Sequence, residues 1–112
     1  MRERELLENI FTCYKELLKI FYTDGDLRSM YAERIFRIDT KLIEEVLIRN
    51  DDKDIQELLG VVKKHYNAHL SVPRDGFSEF HIFRENFEEM REANLKLEKI
   101  KNELKKYFDS VK

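Results

Sequence analysis

The sequence predicts an all-α fold, a mainly antiparallel four-helix bundle, and three observations predict it. Apolar residues recur at three- and four-residue spacings along most of the chain, the pattern that gathers side chains on one side of a helix. Breakers are scarce, with 3 Gly and 1 Pro in 112 residues, too few for the tight turns of a β-sandwich or barrel. The composition is 42% hydrophobic and 39% charged, which supplies both a core and the polar outer faces of helices and lies outside the disordered range. A chain of 112 residues makes one helical domain, 1–112.

The first helix is expected over 2–22. Leu6, Leu7, Ile10, Tyr14, Leu17, Leu18 and Phe21 share one face, and Glu3, Glu5 and Glu8 stand near its start, where the positive end of the helix dipole favours acids. Thr23-Asp24-Gly25-Asp26 closes it, with Gly25 supplying a left-handed cap and Asp26 capping the next helix. That second helix is expected over 27–49, with Leu27, Tyr31, Ile35, Ile38, Leu42 and Val46 as its core stripe and Met30, Phe36, Ile43 and Leu47 widening it. Asn50-Asp51-Asp52 offers successive N-caps for a third helix over 53–70. Its stripe is Ile55, Leu58, Leu59, Val62, Tyr66 and Leu70. Gly60 inside it costs about 1 kcal/mol against Ala, which a close approach by another helix would explain.

Residues 71–86 break the pattern. Val72 precedes Pro73 and is pushed out of helical geometry, and Pro73-Arg74-Asp75-Gly76 reads as a turn. Phe77, Phe80, Ile82 and Phe83 then crowd together, and each gains about 1.5–3 kcal/mol by leaving water. This aromatic-rich loop is therefore expected to pack as a cap over one end of the bundle, with Phe77, Phe80 and Phe83 on a short helical turn. Asn86-Phe87-Glu88-Glu89 resembles a capping box and opens the last helix, 87–108, on Met90, Ala93, Leu97, Ile100, Leu104 and Tyr107, extended by Phe108. Asn94, at the edge of that stripe, is placed to bind backbone groups of the loop. The short turns predict that the first three helices alternate in direction.

Charge and composition exclude several functions. The net charge is −2, without the basic excess of a nucleic-acid-binding domain. Residues 1–60 carry 10 basic and 14 acidic side chains, and residues 91–112 carry 7 and 4, so an acidic first half is expected to pack beside a mildly basic last helix. No run approaches the ~20 apolar residues of a membrane span. Met1-Arg2-Glu3-Arg4-Glu5 alternates charges where a secretory signal would turn apolar. The single Cys13 allows neither an internal disulfide nor a Cys-based zinc site. A cytoplasmic protein without a membrane or nucleic-acid partner is expected.

Chemistry-bearing patterns are few. His65 and His69 are four apart, a spacing that can present two imidazoles to one metal, and His81 in the loop is a third candidate. The pair lacks the Glu of a His-Glu-x-x-His site, since Tyr66 follows His65, and both suit a helix C-terminus, where positive charge is welcome. No Glu-x-x-His pair exists for a di-iron bundle, because Val62, Tyr66 and Ser78 stand three before the histidines. Cys13 beside the first stripe reads as a small core residue, and no serine sits in a nucleophile elbow. The expectation is a chain with no cofactor, no metal and no catalytic constellation. The acids Asp39, Glu44, Glu45, Asp51, Asp52, Asp54 and Glu57 form a dense band around the second turn. They read as solvated surface and capping groups, or as a docking patch for a basic partner.

Over about 65–100 the chain resembles a known kind of protein. The residues are His65-Tyr66, then Pro73-Arg74-Asp75-Gly76-Phe77-Ser78-Glu79-Phe80, then Asn94-Leu95-Lys96-Leu97. They are similar to a pattern in small helical bacterial proteins of uncharacterised, immunity-protein-like families, in which a Gly-hydrophobic-Ser loop precedes a final helix bearing Asn-x-x-Leu. The resemblance carries no catalytic residues and implies a non-enzymatic protein that binds another protein. The expected function is accordingly a protein-binding module of immunity or regulatory type, with one protein partner. Its candidate contact residues are Glu44, Glu45, Asp51, Asp52, Asp54 and Glu57 in the acidic band and Arg74, Asp75, Phe77 and Phe80 in the loop. The alternatives are self-association through the broad stripe of the second helix and metal binding through the histidine pair.

Overall fold

The computed structural model describes residues 2–27, 29–70, 77 and 80–111, the side chains of His69 and Leu70 apart. Among them are four α-helices and no strand: α1 (Arg2–Asp24), α2 (Met30–Arg49), α3 (Asp52–His65) and α4 (Phe87–Asp109). A π-helical turn, Tyr66–Leu70, continues α3, where the sequence predicts unbroken α-helix to residue 70. The bundle measures 46 × 23 × 22 Å. Helix α1 is its axis and packs against each of the other three.

Helix α1 has the face its spacing predicts. Leu6, Leu7, Ile10, Cys13, Tyr14, Leu17 and Phe21 are buried, and Leu18 packs at the edge. Burial pushes the Cys13 thiol up to about 11, with Glu103 and Glu16 adding to it, so the thiol is a core group. Helices α3 and α4 follow their stripes as well, through Ile55, Leu58, Leu59 and Val62 and through Leu97, Ile100, Leu104 and Phe108. The caps are local chemistry. Asp51 accepts from the N–H of Lys53 and Asp54 at 2.9 and 3.1 Å, and Asn86 accepts from Glu89 N–H at 3.0 Å. Asn50 ends α2 in the left-handed region at φ 56°, a conformation asparagine tolerates.

Helix α2 turns a different face inward from the one expected. Its buried residues are Ala32, Phe36, Asp39, Ile43 and Val46. Of the predicted stripe only Val46 is buried, and Ile35 lies at the edge. The stripe was broad enough to contain two seams, and hydrophobicity alone does not choose between them. Aromatic contacts do. The Phe36 ring lies 4.7 Å from Tyr14, 5.7 Å from Phe21 and 5.0 Å from Phe77, distances at which edge and stacked ring pairs add to burial.

The segment before α4 caps this aromatic cluster. Phe77, Phe80 and Ile82 are buried, whereas Phe83 is 83% exposed, contrary to its place among the expected cap residues. Phe80 N–H donates to Phe77 O at 3.0 Å, and the two rings lie 5.0 and 6.1 Å from Phe21. Asn94 does what its position predicts: its Oδ1 accepts from Ile82 N–H at 2.8 Å, and its Nδ2 donates to Ile82 O at 2.8 Å and Met90 O at 2.9 Å. Lys101 Nζ donates to Phe80 O at 2.9 Å, and the Arg84 guanidinium grips the Asp24 carboxylate through two bonds of 2.8 Å. Between the first and last helices, Lys96 Nζ approaches Glu16 at 3.9 Å, an exposed contact of little energetic weight.

Two glycines correct their expected roles. Gly25 has no positive φ, so it is not a left-handed cap. It is required because a Cβ there would lie 2.5 Å from Phe21 O and 3.2 Å from Ser29 Oγ, inside a turn closed by Ser29 N–H to Asp26 Oδ1 and Asp26 N–H to Ser29 Oγ. At Gly60 a Cβ would meet nothing within 4 Å, which removes the expected close helix approach. Gly25→Ala is therefore predicted to lower stability by about 1–3 kcal/mol, in the range of strained substitutions. Gly60→Ala should raise it by about 0.5–1 kcal/mol through helix propensity. Urea denaturation of the two variants checks the pair, and the same sign for both would refute the assignment.

Candidate functional site

The inward rotation of α2 has two consequences, one on each side of the helix. On the inner side it buries an acid. Asp39 is 0% exposed and sits three residues from Phe36 on the same face. Its carboxyl oxygens lie 3.0 and 3.1 Å from Nδ1 of His65 on α3, within hydrogen-bonding distance. Burial raises the Asp39 pKa from 3.8, and the His65 hydrogen bond and charge offset part of that rise. Tyr14, from α1, completes the polar centre. It is wholly buried, and its hydroxyl makes no hydrogen bond among the described residues. Burial first, then the Asp39 charge, pushes its pKa well above the usual phenol value. The Tyr66 ring, at the start of the π-turn, stacks on Phe108 at 4.5 Å and closes the far side.

On the outer side the same rotation exposes a second seam. Tyr31 is 47% exposed, Ile38 53% and Leu42 38%, with Ile35 half-buried at the margin; Leu27, expected to begin this stripe, lies in the turn before α2, which starts at Met30 and not at 27. Tyr31, Ile35, Ile38 and Leu42 follow steps of four, three and four, the spacing of a helix-pairing seam. A cleft lies within it, lined by Tyr31, Ile35, Ile38, Asp39 and His65. The cleft measures about 160 Å³, below the roughly 300–1,000 Å³ of small-molecule pockets. It fits one inserted side chain, with the Asp39–His65 pair at its base as the polar group. The Asp39 carboxylate orients the imidazole, and among the described residues no serine, threonine or cysteine lines the cleft.

The residues expected at a site are dispersed. Glu44, Glu45, Asp51, Asp52 and Glu57 are exposed and Asp54 is half-buried, with Asp51 engaged as the α3 cap. Asp39, expected in the same band, is instead buried. Phe77 and Phe80, expected as docking anchors, are 2% and 8% exposed; they fill the core because the aromatic cluster gains more from them than a surface would. Arg74 and Asp75 lie outside the described residues. His65 binds Asp39, His81 is exposed, and the side chain of His69 lies outside the described residues. Among those residues no group of three or more His, Cys, Asp or Glu converges to hold a metal, and no helix is long and apolar enough to cross a membrane. Sequence reasoning missed the Asp39–His65 pair, whose members are 26 positions apart. The one local signal was an acid in register with Phe36 and Ile43.

No protein-family model matches the chain, and no curated protein or solved structure does.

The polar centre makes two predictions. Removing an unbonded buried hydroxyl relieves a desolvation cost of about 1–3 kcal/mol, so Tyr14→Phe should leave the protein as stable as before or more so. A clear loss on urea denaturation would show that the hydroxyl is engaged. The Asp39 pKa is raised in the folded state, so the native chain binds more protons than the unfolded one between 3.8 and the raised value. Stability should therefore rise as pH falls through that window, relative to Asp39→Asn, which lacks the titrating group. Parallel denaturation curves for the two proteins from neutral pH down to pH 4 test this, and a difference that is flat or of opposite sign would overturn it.

Proposed function

We propose that this chain is a non-enzymatic protein-binding module of immunity or regulatory type, working in the cytoplasm, that receives a helix of a partner protein on the outer face of α2. One observation carries the reading: the more apolar of the two seams on α2 faces solvent. Each large aliphatic side chain of that seam is left partly in water and forgoes about half of the roughly 1.5–3 kcal/mol of full burial, and contiguous apolar patches of this kind mark interaction sites. The cleft between Tyr31, Ile38 and His65 supplies the pocket that a central anchor residue of a partner needs. The resemblance over 65–100 points the same way, toward a protein that holds another protein.

Self-association through the same seam is the second reading, favoured by its helix-pairing spacing, and light scattering separates the two, since the monomer weighs 13.7 kDa.

A photo-crosslinking residue tests the main reading. Placed at position 38 in the full chain and irradiated in extract of the cells that make it, it should give one discrete adduct. The same residue at Lys105, exposed on α4, should give none, and Leu42→Glu should abolish the adduct at 38. Equal labelling at both positions, or none at either, would refute docking on α2.

A further inference from the structure

Resting on the reading of α2 as a docking face, we infer that its occupant is an amphipathic helix with acidic flanks, contributed by a different protein and not by a second copy of this chain. The seam from Tyr31 to Leu42 runs about 16 Å at 1.5 Å per residue, or about three turns. One of its flanks is taken, because Asp39 on that side is covered by His65 of α3. The open flank carries Arg34 and Lys41, and Arg49 follows at the C-terminal end of the seam. All three are exposed, and none has an ion-pair partner among the described residues, unlike Arg37, which engages Glu33. The one acid along this side of α2 is Glu45. This rim is therefore basic within the half of the chain that carries 14 acids against 10 bases.

The rim decides between occupants. In an antiparallel pair of α2 helices the open flank of each faces its own image, so Arg34 and Lys41 would meet the same residues of the second copy, and like charges at helix contacts repel. A parallel pair would set them against the flank that α3 already covers. A three-turn contact alone also falls short of the roughly 2,000 Å² or more of obligate dimers. An acidic flank on a foreign helix meets none of these objections. It would lay its apolar side along Tyr31, Ile38 and Leu42 and its carboxylates along Arg34 and Lys41, the helix-in-groove mode of recognition, with the charges setting association rate and choice of partner.

The test uses two synthetic three-turn peptides with the same leucine seam, one with Glu and one with Lys at its flanks. Each is labelled with fluorescein and titrated with the full chain by anisotropy. The Glu peptide should bind about tenfold more tightly, the combined effect expected of a few exposed charge pairs. The preference should shrink at high salt, reverse in the Arg34→Glu/Lys41→Glu double variant, and vanish with all binding in Ile38→Glu. Equal affinities, or tighter binding of the Lys peptide, would overturn the acidic partner while leaving α2 as a docking face. No binding of either peptide would overturn both. A dimer by light scattering that Ile38→Glu converts to monomer would overturn the foreign occupant in favour of a second copy.

Discussion

The contact of Phe36 with Tyr14, Phe21 and Phe77 sets how α2 is turned, and the rest of the structure follows from that rotation. The two seams of α2 lie about one residue apart around the helix, roughly 100°. Turning the helix by that amount would bury Tyr31, Ile38 and Leu42 and bring Phe36 and Asp39 out. The observed rotation gains three ring contacts and accepts a buried acid. His65 makes that acid tolerable, since a buried carboxylate without a hydrogen-bonding partner is far more costly than one with it. The polar centre and the exposed seam are thus two results of one packing choice.

That choice also explains the cap. The Phe36 ring leaves an apolar surface at the end of the bundle that α1 and α2 do not close. Phe77 and Phe80 close it, and their backbone must then be satisfied without a neighbouring strand or helix. Side chains of α4 do this: Asn94 meets both backbone groups of Ile82, and Lys101 meets the carbonyl of Phe80. Lys101 Nζ also lies 5.2 Å from the Phe77 ring centre; burial lowers its pKa, and the Glu98 charge offsets part of that. With both rings committed to the core, the exposed apolar surface lies on α2, at Tyr31, Ile38 and Leu42.

Much of this architecture was legible in the sequence where the signal is local. The stripes of α1, α3 and α4, the caps at Asp51 and Asn86, and the bridge from Asn94 to the loop each depend on residues within about one turn or on a single polar group at the edge of a stripe. What was not legible depends on tertiary geometry. The α2 stripe contained both seams, and the choice between them lies in rings contributed by α1 and by residue 77. The pairing of Asp39 with His65 joins two helices, so no spacing announces it. Gly25 and Gly60 look alike as letters; only the position of Phe21 O against a hypothetical Cβ separates a required glycine from a replaceable one.

The π-turn after His65 belongs to the same logic. A π-turn closes its hydrogen bonds over i→i+5, one residue wider than the α-helix preceding it, and so shifts the register of the side chains that follow. Here α-helical geometry runs as far as His65, whose ring must reach Asp39, and changes at Tyr66, whose ring must reach Phe108 at 4.5 Å. These two neighbours serve different helices, α2 and α4. The altered register lets one segment hold both, so His65 remains at the base of the cleft while Tyr66 closes the core behind it. The polar base of the cleft is held from two helices, by Asp39 of α2 and His65 of α3.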